Sequence, residues 1–178
     1  MHRHAAPHLQ WAIEVVWNTG SRPGPKELFA LRWSEHVDFD RGVVRMMGKR
    51  DLYREVPMSD AFRARLLTMR AQAKTDHVIE YEGRPITQLR RSVKNAARRA
   101  GLTYSVCIYD VRQLFATVLL SRGADLAAVS RILEHTSTKM TADQYNHLLS
   151  GEKKRAVEMV PTIGQKEGVQ VRRLRFVE

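Results

Sequence analysis

Apolar residues return at helical intervals in Leu9, Ala12, Ile13, Val16 and Trp17, and the run stops at Asn18-Thr19-Gly20, a helix-ending signal. A first helix is expected there. After the SRPGP loop, Glu27, Leu28, Leu31 and Trp33 predict a second, short helix. The period then changes. VDFD, VVRMM and YREVPM alternate or are β-branched, separated by a turn at Asp40-Arg41-Gly42 and by the polar turn GKRD, which predicts a small three-stranded antiparallel sheet. Pro57 cannot donate to a ladder and belongs at a strand end or an edge.

Helical spacing resumes after Ser59 or Asp60, either of which can cap, with Phe62, Leu66 and Met69 on a stripe that runs out near Lys74. A brief strand is expected at HVIEY. Ile86, Leu89, Val93 and Ala97 then give a buried stripe ending at Gly101, and the same helix carries Arg90, Arg91, Lys94, Arg98 and Arg99 with no acid among them. Without interleaved glutamates this face lacks the i,i+4 pairing of an ordinary solvated surface, so Arg90, Arg91, Lys94 and Arg98 are expected to contact nucleic-acid phosphates.

From Tyr109 to Arg122 a further helix is expected, with Val111, Leu114, Phe115, Val118 and Leu119 packed and with Tyr109 and Arg112 on a face left for a ligand. Gly123 stops it. Leu126, Val129, Ile132 and Leu133 predict a short helix ending at Glu134-His135, and Thr138 or Thr141 can cap a last one carrying Tyr145, His147 and Leu148. The charged tail from Gly151 ends in GVQVRRLRFVE, which reads equally as a strand, a partner-docking arm or disorder. The elements together describe a mixed α/β domain, mainly helical with a small sheet.

At 178 residues and 43% apolar content, the chain is one ordinary domain, or one plus a short appendage, with enough material for a core. Charge adds more. Lys and Arg outnumber Asp and Glu by 30 to 19, for a formal net charge of +11, which favours a polyanionic partner and makes nucleic acid the first candidate. Cys107 is the only cysteine, which excludes an intrachain disulfide and a four-cysteine zinc site and fits a reducing, intracellular setting. No segment approaches the roughly 18 apolar residues needed to cross a bilayer. His2, His4 and His8 sit at a chain end without a neighbouring carboxylate or thiol, as in a solvated terminus.

Six pieces now stand in order: TG-x-R, E-L-x-x-L-x-W, a GK turn before R-x-V-P, R-x-x-F-A-T, L-x-H and Y-x-H-L. In that order, from about Asn18 to Leu148, they closely resemble the catalytic domain of tyrosine recombinases, the phage integrase family. The resemblance implies DNA strand cleavage and rejoining through a 3′-phosphotyrosyl intermediate, in integration or excision of a phage or mobile element. It implies that Arg22 and Arg112 clamp the scissile phosphate, that Lys49 is the general acid for the leaving 5′ oxygen, that His135 hydrogen-bonds the phosphate and that Tyr145 is the nucleophile. Tyr109 stands where the family most often has a histidine, and Gln113 where many relatives have another. One residue more than the commonest spacing lies between His135 and Tyr145, and two more between Arg22 and Glu27.

The residue types suit that chemistry on physical grounds. Two guanidiniums are planar, permanently charged donors for the oxygens of a phosphodiester in flight. A phenol is a poor nucleophile until cations depress its pKa or a base takes its proton, and Tyr109 accepts a proton poorly at neutral pH. Asp110 and Glu27 are within sequence reach as ordinary ion-pair partners for Arg112 and Arg22. With no Gly-rich phosphate loop and no carboxylate cluster for two metals, the expected reaction uses no cofactor. Residues 1–160 are then expected to be the catalytic domain and 161–178 a tail, with the family's N-terminal core-binding domain absent. The expected partner is double-stranded DNA, bound mainly through phosphates, by a cytoplasmic protein that is a monomer alone and a homotetramer on paired DNA sites.

Overall fold

The computed structural model describes residues 1–48, 53–134 and 137–145. Helix α1 (Pro7–Thr19) opens with proline at its first position, where no amide hydrogen is needed, and closes at Gly20, whose φ of 63° and amide bond to the Val16 carbonyl make a left-handed stop. Leu9, Ala12, Ile13 and Val16 are buried as the spacing predicts, whereas Trp17 lies on the rim, 38% exposed.

The expected second helix is divided. A single 3-10 turn (Leu28–Ala30) and a four-residue helix α2 (Trp33–His36) replace it, because the amides of Leu28 and Phe29 bond back to the Arg22 and Gly24 carbonyls and Leu31 pairs through its carbonyl with Val78. The sheet follows the sequence closely. Strands β1 (Val37–Asp38), β2 (Val43–Met47) and β3 (Tyr53–Pro57) form an antiparallel sheet in the order β1-β2-β3, with Val44 opposite Val56 and Pro57 at the strand end.

Ser59 caps helix α3 (Asp60–Gln72) by accepting the Phe62 amide, a contact worth about 1 kcal/mol. HVIEY gives only a two-residue strand β4 (Glu80–Tyr81), paired with β5 (Arg84–Pro85). Helix α4 (Arg90–Arg99) starts later than its stripe predicts, since the Ile86 amide is used by the Ile79 carbonyl. Helices α5 (Tyr109–Ser121), α6 (Leu126–Leu133) and α7 (Thr138–Tyr145) complete the described fold, and Ser137, rather than Thr138 or Thr141, offers its hydroxyl to the first turn of α7 at the Met140 amide.

Two apolar clusters result. The larger joins α1, the sheet, α3 and α4; the smaller holds Ala116, Leu120, Val129, Leu133 and Tyr145, between α5, α6 and α7. Helix α5 lies between them, and its most buried line runs through Arg112, Ala116 and Leu120 rather than through the expected stripe, of which Leu114 is 52% exposed. Arg112 is therefore on the packed face. Among the described residues no helix is long and apolar enough to cross a membrane.

Candidate functional site

The seam between the two clusters holds the charged groups. Gly20 ends α1 there, and a Cβ on it would meet the Phe115 ring at 2.9 Å, so a side chain is excluded by contact as well as by φ. Its carbonyl accepts Arg112 Nη1, and the Leu133 carbonyl at the end of α6 accepts Arg112 Nη2 at 2.6 Å. Arg112 is 2% exposed, and both of these partners are neutral. Asp110, the ion-pair partner within sequence reach of it, instead accepts the Cys107 amide at the start of α5.

Arg22 approaches the same carbonyl from the other side. Its Nη2 lies 3.4 Å from the Leu133 oxygen, while its Nη1 donates to Glu27 and, at 3.0 Å, to Glu134. Glu27, 4% exposed, also takes the Arg22 backbone amide at 2.8 Å and Arg54 Nη2 at 2.7 Å. Strand alternation explains Arg54: two residues before the buried Val56, it points inward from β3. Its Nε and Nη1 are buried without a hydrogen-bond partner.

Electrostatics separate these arginines. Burial holds Arg112 down to about 10, with the nearby charges of Arg22 and Arg54 adding to the effect. Burial lowers Arg54 as well, against the pull of Glu27. For Arg22 burial again acts downward, but the Glu134 and Glu27 carboxylates outweigh it, and the group ends above its ordinary value. Three guanidiniums against two carboxylates leave one net positive charge in this set.

Tyr145, on the last turn of α7, is 5% exposed and packs in the smaller cluster with Leu133. Burial pushes its phenol up and Tyr109 adds to this, while Arg112 pulls the other way. The cationic field is present, but desolvation outweighs it. Tyr109 is 40% exposed and does not share an open face with Arg112. It borders instead an open groove of about 1380 Å³ whose walls include Pro23, Pro25, Arg90, Lys94 and Arg98. Arg91 is exposed on the same helix.

Of the expected catalytic residues, Arg22 and Arg112 meet, Tyr145 packs in the smaller cluster within electrostatic reach of Arg112 and Tyr109, and Tyr109 borders the groove. Lys49 and His135 lie outside the described residues, as do the tail and the rest of the GKRD turn after Gly48. Sequence reasoning anticipated the pairing of Glu27 with Arg22 but missed the place of Arg54 and Glu134 in this set. The inward register of Arg54 was legible from the YREVP alternation; Glu134 carried no such signal.

Comparison with known proteins agrees with this fold. The model of the phage integrase family matches residues 2–152. The tyrosine recombinase XerD of Staphylococcus aureus (strain Mu50 / ATCC 700699) is 32% identical over 147 residues, covering 76% of this chain and 48% of its own. The chain thus spans about half the length of the curated relatives it matches. Among solved structures, the catalytic domain of bacteriophage HP1 integrase aligns with a TM-score of 0.63 at 22% identity, covering 89% of this chain and 85% of that one. The Tn1549 transposon integrase, solved with a circular intermediate DNA, aligns with a TM-score of 0.67 at 18% identity, over 84% of this chain and 57% of that one. These structures share the fold, and the family match over most of the described residues makes this chain a member of the phage integrase family.

Proposed function

We propose that this chain cleaves and rejoins DNA at specific sites through a covalent 3′-phosphotyrosyl intermediate. The observation that carries the reading is the meeting of Arg22 and Arg112, from distant parts of the sequence, at the single carbonyl of Leu133. Each offers a guanidinium to the same small volume, the arrangement that two oxygens of one phosphodiester require. In this reading the Tyr145 phenol releases its proton to solvent as its oxygen bonds phosphorus, the bond from phosphorus to the 5′ oxygen breaks, and Lys49 supplies the proton to that oxygen. The 3′ strand end stays joined to Tyr145 through this phosphate until the 5′ hydroxyl attacks phosphorus and Tyr145 leaves. His135 and Tyr109 donate hydrogen bonds to the phosphate.

Duplex DNA as partner is supported by the net charge of +11, by the basic wall of α4 beside the site and by relatives named as recombinases and integrases. The setting is integration or excision of a phage or mobile element, in the cytoplasm, with four copies assembling on paired sites and a monomer in their absence. A second reading, a DNA-binding protein without strand cleavage, is favoured by one observation: Tyr145 is 5% exposed among apolar side chains and must emerge to reach phosphorus.

A duplex carrying a bridging sulfur at the 5′ position of the scissile phosphate separates the two. Cleavage releases a thiol that rejoins poorly, so the protein becomes trapped on DNA and migrates as a covalent adduct in a denaturing gel. Wild type is expected to form it, Tyr145→Phe to form none, and Arg22→Ala to form it about a hundredfold more slowly. Salt-dependent binding without any adduct would establish the second reading.

A further inference from the structure

Within the cationic set one carboxylate is held unlike the other. Glu27 is 4% exposed and fixed by three donors, namely the Arg22 amide, Arg22 Nη1 and Arg54 Nη2. Glu134 is partly exposed, with a side-chain accessibility of 23%, and it follows the last turn of α6 in a left-handed conformation, φ 54° and ψ 43°. A residue with a Cβ adopts that conformation only when its surroundings require it. Its side chain extends over Gly48, where a Cβ would lie 2.1 Å from Glu134 Oε1, so the glycine leaves room for the carboxylate. From that seat Oε2 reaches Arg22 Nη1 at 3.0 Å.

Arg22 is thereby occupied on both nitrogens: Nη1 by two carboxylates, Nη2 by the carbonyls of Leu133 and Glu134. A phosphodiester presents to a guanidinium what a carboxylate presents, two oxygens sharing one negative charge. Resting on the site reading given above, we propose that Glu134 is an internal competitor for the phosphate site, its carboxylate holding Arg22 until a DNA phosphate displaces it. Glu27 stays in place and keeps the guanidinium aimed. Departure of Glu134 raises the net charge of the set from +1 to +2, opposite an incoming phosphodiester of −1.

The sign of one substitution tests this. Glu134→Gln keeps the shape and removes the charge, and a competitor so disarmed should let the full chain bind a duplex carrying its site about fivefold more tightly, the worth of one partly exposed ion pair. Glu35→Gln, which removes an exposed carboxylate of α2, corrects for the change in net charge and should alter affinity far less. In an Arg22→Ala background the gain from Glu134→Gln should be markedly smaller, since the Arg22 contact it releases is gone. Glu134→Gly, which also relieves the left-handed backbone, should bind at least as tightly as Glu134→Gln and melt no lower than wild type.

A loss of affinity in Glu134→Gln, or a gain no larger than that of Glu35→Gln, overturns the proposal and leaves Glu134 as a structural ion pair. Covalent trapping is scored on the same samples. A fivefold gain without any adduct would retain the competitor and remove the cleavage reading, while an adduct without the gain would do the reverse.

Discussion

Arg22 and Arg112 reach one carbonyl from opposite walls, yet the walls hold them by different means. Around Arg22 stand carboxylates, Glu27 from its own loop and Glu134 from the end of α6, so its charge is matched before any ligand arrives; around Arg112 stand the neutral carbonyls of Gly20 and Leu133, so its charge is positioned but not cancelled. Ion pairing gives a stable guanidinium with little outward field. Carbonyl anchoring gives a costly one that still attracts anions, as the depression of Arg112 to about 10 reflects. A phosphate clamp assembled from both kinds combines a guanidinium that a carboxylate must vacate with one whose charge no carboxylate cancels.

The contrast breaks most severely at Glu27. Glu27→Ala strands the buried Arg54 without its carboxylate and releases Arg22, at an expected cost of about 3–5 kcal/mol by chemical denaturation, because one member of a buried ion pair is left uncompensated. On the other wall, Arg112→Ala removes a cation whose desolvation opposes folding but orphans the Gly20 carbonyl and leaves the Leu133 carbonyl only its longer bond from Arg22, for an expected loss of about 2–3 kcal/mol. Should the second loss exceed the first, the carbonyl wall would be the stronger support and the comparison would invert.

A smaller effect sharpens the boundary between the walls, at Tyr145. Its folded-state pKa lies above the ordinary value near 10, so the neutral phenol stabilises the fold fully below that pH and the contribution is lost as pH rises through the folded-state value. Wild type should therefore lose stability more steeply than Tyr145→Phe above about pH 10. Melting both proteins across that range checks the sign; parallel curves would mean that the phenol is not desolvated.

Much of the architecture was legible because local rules and tertiary packing agree in it. The α1 stripe ended at a glycine, the hairpin strands alternated around Gly42, and Ser59 stood ahead of a helical run, each a short-range signal acting where the fold also needed it. Helix α5 was misread on its faces because hydrophobicity alone assigns an arginine to solvent, whereas here two backbone carbonyls from remote helix ends make the buried face polar at one point. Arg22 was found through motif order, and its pairing with Glu27 was within sequence reach. The bond to Glu134 spans most of the chain and depends on an unusual backbone angle, which spacing does not encode.

The stop at Gly20 makes the first helix a length gauge. Each added residue turns an α-helix by about 100° and advances it about 1.5 Å. One insertion ahead of that stop would therefore swing the oxygen that seats Arg112 away from its peg and carry the glycine out from under the Phe115 ring. Substitutions of apolar type along α1 are tolerable in principle; a change in the number of its residues is not, because counting, rather than composition, sets where the guanidinium rests.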